Sequence, residues 1–188
     1  MTKTIHWNYF FAIEDDLATL SRYVEFHEDN FAAYSIETAK ILMTAVQEVD
    51  VLLKSICGHY GAPAANIRDY HDLMMVKHPN IREAQVTVAQ HSLVRIPFSS
   101  WSATTPPAWW TANNHVKHAR DTKFGSASLE NAIDAVSGLL IANMYHHGIV
   151  QGGKHFDIPR APRVFNIRWF ARGITGAQHH LVYGIQKK

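Results

Sequence analysis

The sequence predicts a mainly α protein, an antiparallel helical bundle with a short β insertion at about 84–98 and a small β-rich extension at its C-terminal end. Three observations carry this prediction. Apolar residues recur at intervals of three and four along most of the chain, as one face of a helix requires. A β-branched, proline-punctuated stretch interrupts that pattern between residues 80 and 107. Beyond residue 148 the apolar residues alternate with a period of two instead. A chain of 188 residues with 47% apolar content is long and hydrophobic enough for one domain with a real core, which argues against disorder and fibrous repeats.

The elements follow in order. Phe10, Ile13, Leu17, Leu20 and Val24 make one stripe along a helix over 7–27. Ser35 is a candidate N-cap for a second helix, where Leu42, Val46, Val49, Leu53 and Ile56 repeat until Gly58 offers a stop. Asn66 caps a shorter helix through Lys77, closed by Pro79. Val86 to Val88 and Leu93 to Ile96 read as two short strands, and Pro97, Pro106 and Pro107 mark a long loop. Helical spacing returns from Ala108 to Asp121. It returns again after a cap at Ser126 or Ser128, with Leu129, Ile133, Val136, Leu140 and Met144 ending at Gly148. Residues 1–148 form the helical domain. Residues 149–188 read as an extension of it, a loose hairpin of Phe165, Ile167 and Trp169 against Leu181, Tyr183 and Ile185 around Gly173 and Gly176.

Composition narrows the setting. The most apolar run, Ala135 to Tyr145, is broken by Ser137, Gly138 and Asn143, too short and polar to cross a bilayer. The first residues reach Glu14, Asp15 and Asp16 without an apolar signal run, and Cys57 is alone, which suits a reducing compartment. A cytoplasmic protein is expected. Residues 1–60 carry a net charge of −5 and the remainder +7. Lys154, Arg160, Arg163, Arg168, Arg172, Lys187 and Lys188 sit in the extension against Asp157 alone, interleaved with Phe165, Trp169, Phe170 and Tyr183. That pattern suits contact with a polyanion through Arg163, Arg168 and Arg172, or equally an arm packed on the acidic N-terminal half.

Thirteen histidines invite a metal reading, but His115 with His118 and the pairs His146–His147 and His179–His180 lack the Cys pairs, HExxH run or Glu-x-x-His helices that such sites use. No metal or other cofactor is expected. Cys57 beside Ile56 reads as a small buried hydrophobe, and Glu25, Glu48, Asp50 and Lys54 as polar contacts between the first two helices. The chain contains no GxGxxG, P-loop or GxSxG motif, which leaves Rossmann, nucleotide-hydrolase and serine-hydrolase functions without support.

The run from Trp109 to Arg120 is the most informative. On a continuous helix, Asn113, Asn114, Lys117, His118 and Arg120 share a polar arc opposite Trp109, Ala112, Val116 and Ala119. Asn114 and His118 are four apart, close enough for the amide to orient the ring. Lys117 and Arg120 are three apart and could hold one phosphate, while Trp110 could stack a base. Any solvated amphipathic helix shows a polar arc, so the same residues also fit a structural network.

Asn114-His-Val-Lys117-His118-Ala-Arg120, followed by Phe124 and the helix from Leu129, together with Arg22-Tyr-Val-Glu25 and Tyr34-Ser35, resembles the signature region of HEPN-type proteins. The similarity covers residues 7–148 in helix order. It implies a small HEPN-like helical bundle acting as a homodimer, in many members a toxin or antiphage ribonuclease, with a cognate antitoxin as a further partner. In that family an arginine followed by a polar residue precedes a histidine, and two protomers combine these into an RNA-cleaving site that uses no metal. Asn114 matches the polar residue and His118 the histidine, whereas the arginine's place holds Asn113, or Thr111 or Ala112 at wider spacing. The expected site is therefore His118, Asn114, Lys117 and Arg120 for catalysis, with Asn113, Trp110, Arg163, Arg168 and Arg172 contacting RNA. The alternative is a HEPN-like interaction or regulatory module without catalysis.

Overall fold

The computed structural model describes residues 5–88, 92–151, 156–167, 171–175 and 180–184. It is mainly helical: α1 (Ile5–Leu20), α2 (Ile36–His59), α3 (Ile67–Lys77), α4 (Ala108–His118), the short α5 (Arg120–Lys123) and α6 (Leu129–Gln151). The strands are β1 (Val86–Val88), β2 (Leu93–Arg95), β3 (Phe156–Asp157), β4 (Phe165–Ile167), β5 (Ala171–Thr175) and β6 (His180–Gly184). They form two antiparallel three-stranded sheets, in the orders β2-β1-β4 and β3-β6-β5. No helix among the described residues is long and apolar enough to cross a membrane.

Local chemistry sets the helix starts. Ser35 Oγ accepts the Thr38 amide and Thr38 Oγ1 accepts the Ser35 amide, a reciprocal cap that opens α2. Asn66 Oδ1 accepts the Arg68 and Asp69 amides at the start of α3. The α2 stripe from Leu42 to Ile56 is essentially closed to solvent, and Cys57 is buried beside it. Tyr70 of α3 donates its hydroxyl to Asp50 of α2.

Helix α1 stops at Leu20, short of the expected residue 27. Ser21 Oγ donates to the Ala18 carbonyl, and the Arg22 and Tyr23 amides donate back three residues, tightening the backbone into a turn. Val24 still packs against the core, from the turn.

Helix α6 is the axis of the fold. From Ala132 to Tyr145 every residue but Asp134 is buried, so the helix is enclosed on all sides. That enclosure carries it through Gly148 to Gln151, past the expected stop. Two of its first amides are met from the loop before α2, Leu129 donating to Ala33 O and Glu130 to Phe31 O, and Asn131 donates to Ser128 Oγ just ahead of the helix. Arg95 of β2 reaches Asp134 with Nε and Nη2 and Glu130 with Nη2, while its guanidinium lies 5.0 Å from the Phe31 ring centroid. Burial pushes the Asp134 carboxyl up and the Arg95 contact opposes it.

The extension departs from the expected hairpin. Phe165 to Ile167 pairs with β1 in the first sheet, Val88 opposite Phe165, and the hairpin is β5 with β6 instead. The segment before β4 lies on α1. Val164 donates its amide to the buried Glu14, Arg160 and Arg163 both donate to Asp15 at 3.0 Å, and the Arg160 guanidinium covers the Phe11 ring.

At the crossing of α4 and α6, the Trp109 ring lies so close to Gly138 that a Cβ there would stand 2.9 Å from Cζ2. The indole cannot swing aside, because Nε1 donates to Pro97 O at 2.7 Å and the Phe98 ring packs against it in a T-shaped contact. Gly138→Ala is therefore expected to lower stability by about 1–3 kcal/mol through overpacking, read from urea midpoints. An unchanged or raised midpoint, as the helix propensity of alanine alone would give, contradicts this packing.

Candidate functional site

Helix α4 starts after Pro107 without a side-chain cap and buries Trp109, Ala112 and Val116. It also buries two of the residues expected to meet RNA: Trp110 and Asn113 are each only 8% exposed, so Trp110 offers little ring face for stacking. Asn114, His115, Lys117 and His118 face solvent. Basic groups in the last turn suit the negative end of a helix, a structural reason for their presence that needs no ligand.

The helix does not continue to Asp121. Ala119 adopts φ −142° and ψ 42°, and its amide closes on His115 O while its carbonyl accepts the Lys123 amide of α5. Arg120 therefore leaves the arc expected on one continuous helix. Its Nε folds back to Val116 O at 3.4 Å and its Nη2 lies 3.5 Å from Met43 Sδ of α2. It joins α4 to α2 rather than pairing with Lys117 along one face.

Asn114, Lys117 and His118 share the outer surface and make no side-chain hydrogen bond or ion pair with any described residue. The expected amide-to-imidazole bond is not formed. Only His115 on this face is engaged, through Nδ1 to Ser126 Oγ at 3.1 Å. Next to α5, the exposed Tyr34 stands edge-on to Phe124 with centroids 5.6 Å apart, set there by its bridge to Ser128. In the sequence, Tyr34 stands out only through the resemblance of Tyr34-Ser35 to HEPN-type proteins. Its place beside α5 depends on the pairing of residues almost a hundred apart. An imidazole, an ammonium and an amide without protein partners can bind a phosphate and exchange protons with a nearby hydroxyl.

Of the extension's arginines expected to meet RNA, one side chain is placed among the described residues. Arg163 is held on α1 by Asp15, Arg172 falls in β5, and Arg168 lies outside the described residues.

A second concentration of titratable groups joins the start of α1 to the far ends of α2 and α6. His6 Nδ1–H donates to the Glu48 carboxylate at 2.5 Å, and the His6 ring stands edge-on to His146 with centroids 4.8 Å apart. His146 Nε2 meets Ser55 Oγ at 2.9 Å, and Trp7 Nε1 donates to His147 Nδ1 at 2.8 Å. The sequence shows His146 and His147 side by side, but nothing in it links them to His6 and Glu48. No three His, Cys, Asp or Glu side chains among the described residues converge as metal ligands would.

No protein-family model matches the chain, and neither curated proteins nor solved structures yield a match.

Burial lowers the His146 pKa to about 4, with His6, His147 and His59 adding repulsion. The neutral ring is the form that the fold accepts. As pH falls below about 6.5 the unfolded chain takes up this proton first, so stability is full above that pH and declines toward pH 4 by at most about 1.4 kcal/mol per unit. Urea midpoints of His146→Gln are expected to fall less between pH 7 and pH 4.5 than those of the unmodified protein; parallel declines contradict the assignment.

Proposed function

We propose that this is a HEPN-like protein that binds RNA across the outer face of α4 and cleaves it without a metal, as a homodimer in a toxin-like or defence setting. The observation that carries the reading is His118, exposed at the end of α4 with no partner among the described residues. In the proposed step His118 takes the proton of a ribose 2′-hydroxyl as that oxygen attacks the adjacent phosphorus. The 5′-oxygen leaves with a proton returned by an imidazolium, and Lys117 offsets charge on the phosphoryl oxygens. Asn114 positions the phosphate. Arg120 is engaged with Val116 O and Met43, so this reading takes the guanidinium at the reacting phosphate from the second protomer.

One observation favours the non-catalytic variant of this reading. The motif's arginine position holds Asn113, which is buried, so the chain lacks that cation on α4 and an RNA-binding or regulatory module is the second reading.

A cleavage assay on single-stranded RNA with EDTA present separates them. His118→Ala is expected to slow cleavage by about 10²–10⁴-fold, the usual contribution of a positioned proton-transfer group, with RNA binding retained. Binding without cleavage by the unmodified protein selects the regulatory reading, and cleavage equal in both proteins removes His118 from the chemistry. Absence of both binding and cleavage overturns the RNA assignment.

A further inference from the structure

A cavity of about 260 Å³ opens where the end of α1, strand β1 and the segment leading into β4 meet. Ala18, Phe26, Val88 and Val164 line it, together with Ser21 and two arginines, Arg22 and Arg163. These residues come from three distant parts of the chain, brought together by the antiparallel pairing of Val88 with Phe165 and by the seat of Val164 on Glu14.

The charges around it are unequal in their commitments. Asp15 accepts from Arg160 and Arg163 and is the carboxylate that balances them, while Arg22 is exposed and makes no ion pair with any described residue. The other polar groups at the wall are already satisfied: the Val164 amide donates to Glu14 and the Ser21 hydroxyl to Ala18 O. The cavity thus presents apolar walls and guanidinium donors. A guanidinium is a planar fork that matches the two oxygens of a phosphate or carboxylate. A volume just below the roughly 300–1,000 Å³ usual for ligand pockets selects a small molecule.

We propose that this cavity binds a small amphipathic anion, with its phosphate or carboxylate head on Arg22 and Arg163 and its apolar body against Phe26, Val88 and Val164. The site is separate from the α4 face, and its occupancy does not depend on His118.

Isothermal titration with phenyl phosphate, benzoate, inorganic phosphate and phenol tests it. Phenyl phosphate or benzoate binds, and the tighter of the two identifies the head group. Inorganic phosphate and phenol each bind more weakly by about fivefold or more, since each lacks half of the recognised chemistry. Arg22→Gln weakens the preferred anion by about tenfold or more, and Ala18→Leu, which fills the wall, weakens it as well. His118→Ala leaves it unchanged, so failure here and failure of the RNA reading are told apart. No binding by either aromatic anion, equal binding by inorganic phosphate or by phenol, or an Arg22→Gln protein that binds as before overturns the proposal.

Discussion

The orientation of α4 rests on one contact, the indole of Trp109 seated on Gly138 in the middle of the buried α6. A residue without a side chain lets the two helices approach until ring and backbone touch, and the bond from Nε1 to Pro97 O fixes which edge of the ring faces in. Once Trp109 is placed, the period of the helix decides the rest. Ala112 and Val116 follow it inward, while Asn114, Lys117 and His118 are turned to water. The candidate site is in this sense a by-product of core packing, and its rigidity comes from the aromatic group of Phe98, Trp101 and Trp109 behind it.

The long apolar α6 needs partners on every side, and polar clamps set which ones. Arg95 pins β2 to Asp134 and Glu130, and through β1 this sheet also receives β4 from the extension. The extension in turn closes over α1 through Glu14 and Asp15. Removing one partner of a half-buried pair such as Arg95 and Asp134 leaves a charge that the surroundings cannot hydrate, so such clamps act as registers for the sheet. Two of the extension's arginines, Arg160 and Arg163, serve this docking, which accounts for part of its positive charge by contact with the acidic N-terminal half.

What the sequence makes legible is local. The caps at Ser35 and Asn66, the stop before Pro79 and the buried stripe of α2 each depend on residues within a few positions of one another, and each is where the spacing puts it. The breaks are harder to read. Ala119 is a strong helix former, yet the chain turns there, closing on His115 and Lys123, and this moves Arg120 off the expected arc. Gly148 carries a stop signal that burial of α6 overrides. The pairing of β4 with β1, the edge contact of Tyr34 with Phe124 and the meeting of His6, Glu48, Ser55 and His146 join residues tens of positions apart. No spacing rule encodes those. The surface of α4 was therefore half legible: its period separates Lys117 and His118 from the core, but not Asn113 and Trp110 from solvent.

In the proposed reading, RNA meets the outer face of α4. The direct measurement is the ring carbon and proton resonances of His118 and His146 during titration with a short single-stranded RNA at low and at raised salt. The His118 signals are expected to move, raised salt to reverse the shift, and the His146 signals to stay in place. Saturable RNA binding that leaves His118 unmoved contradicts it.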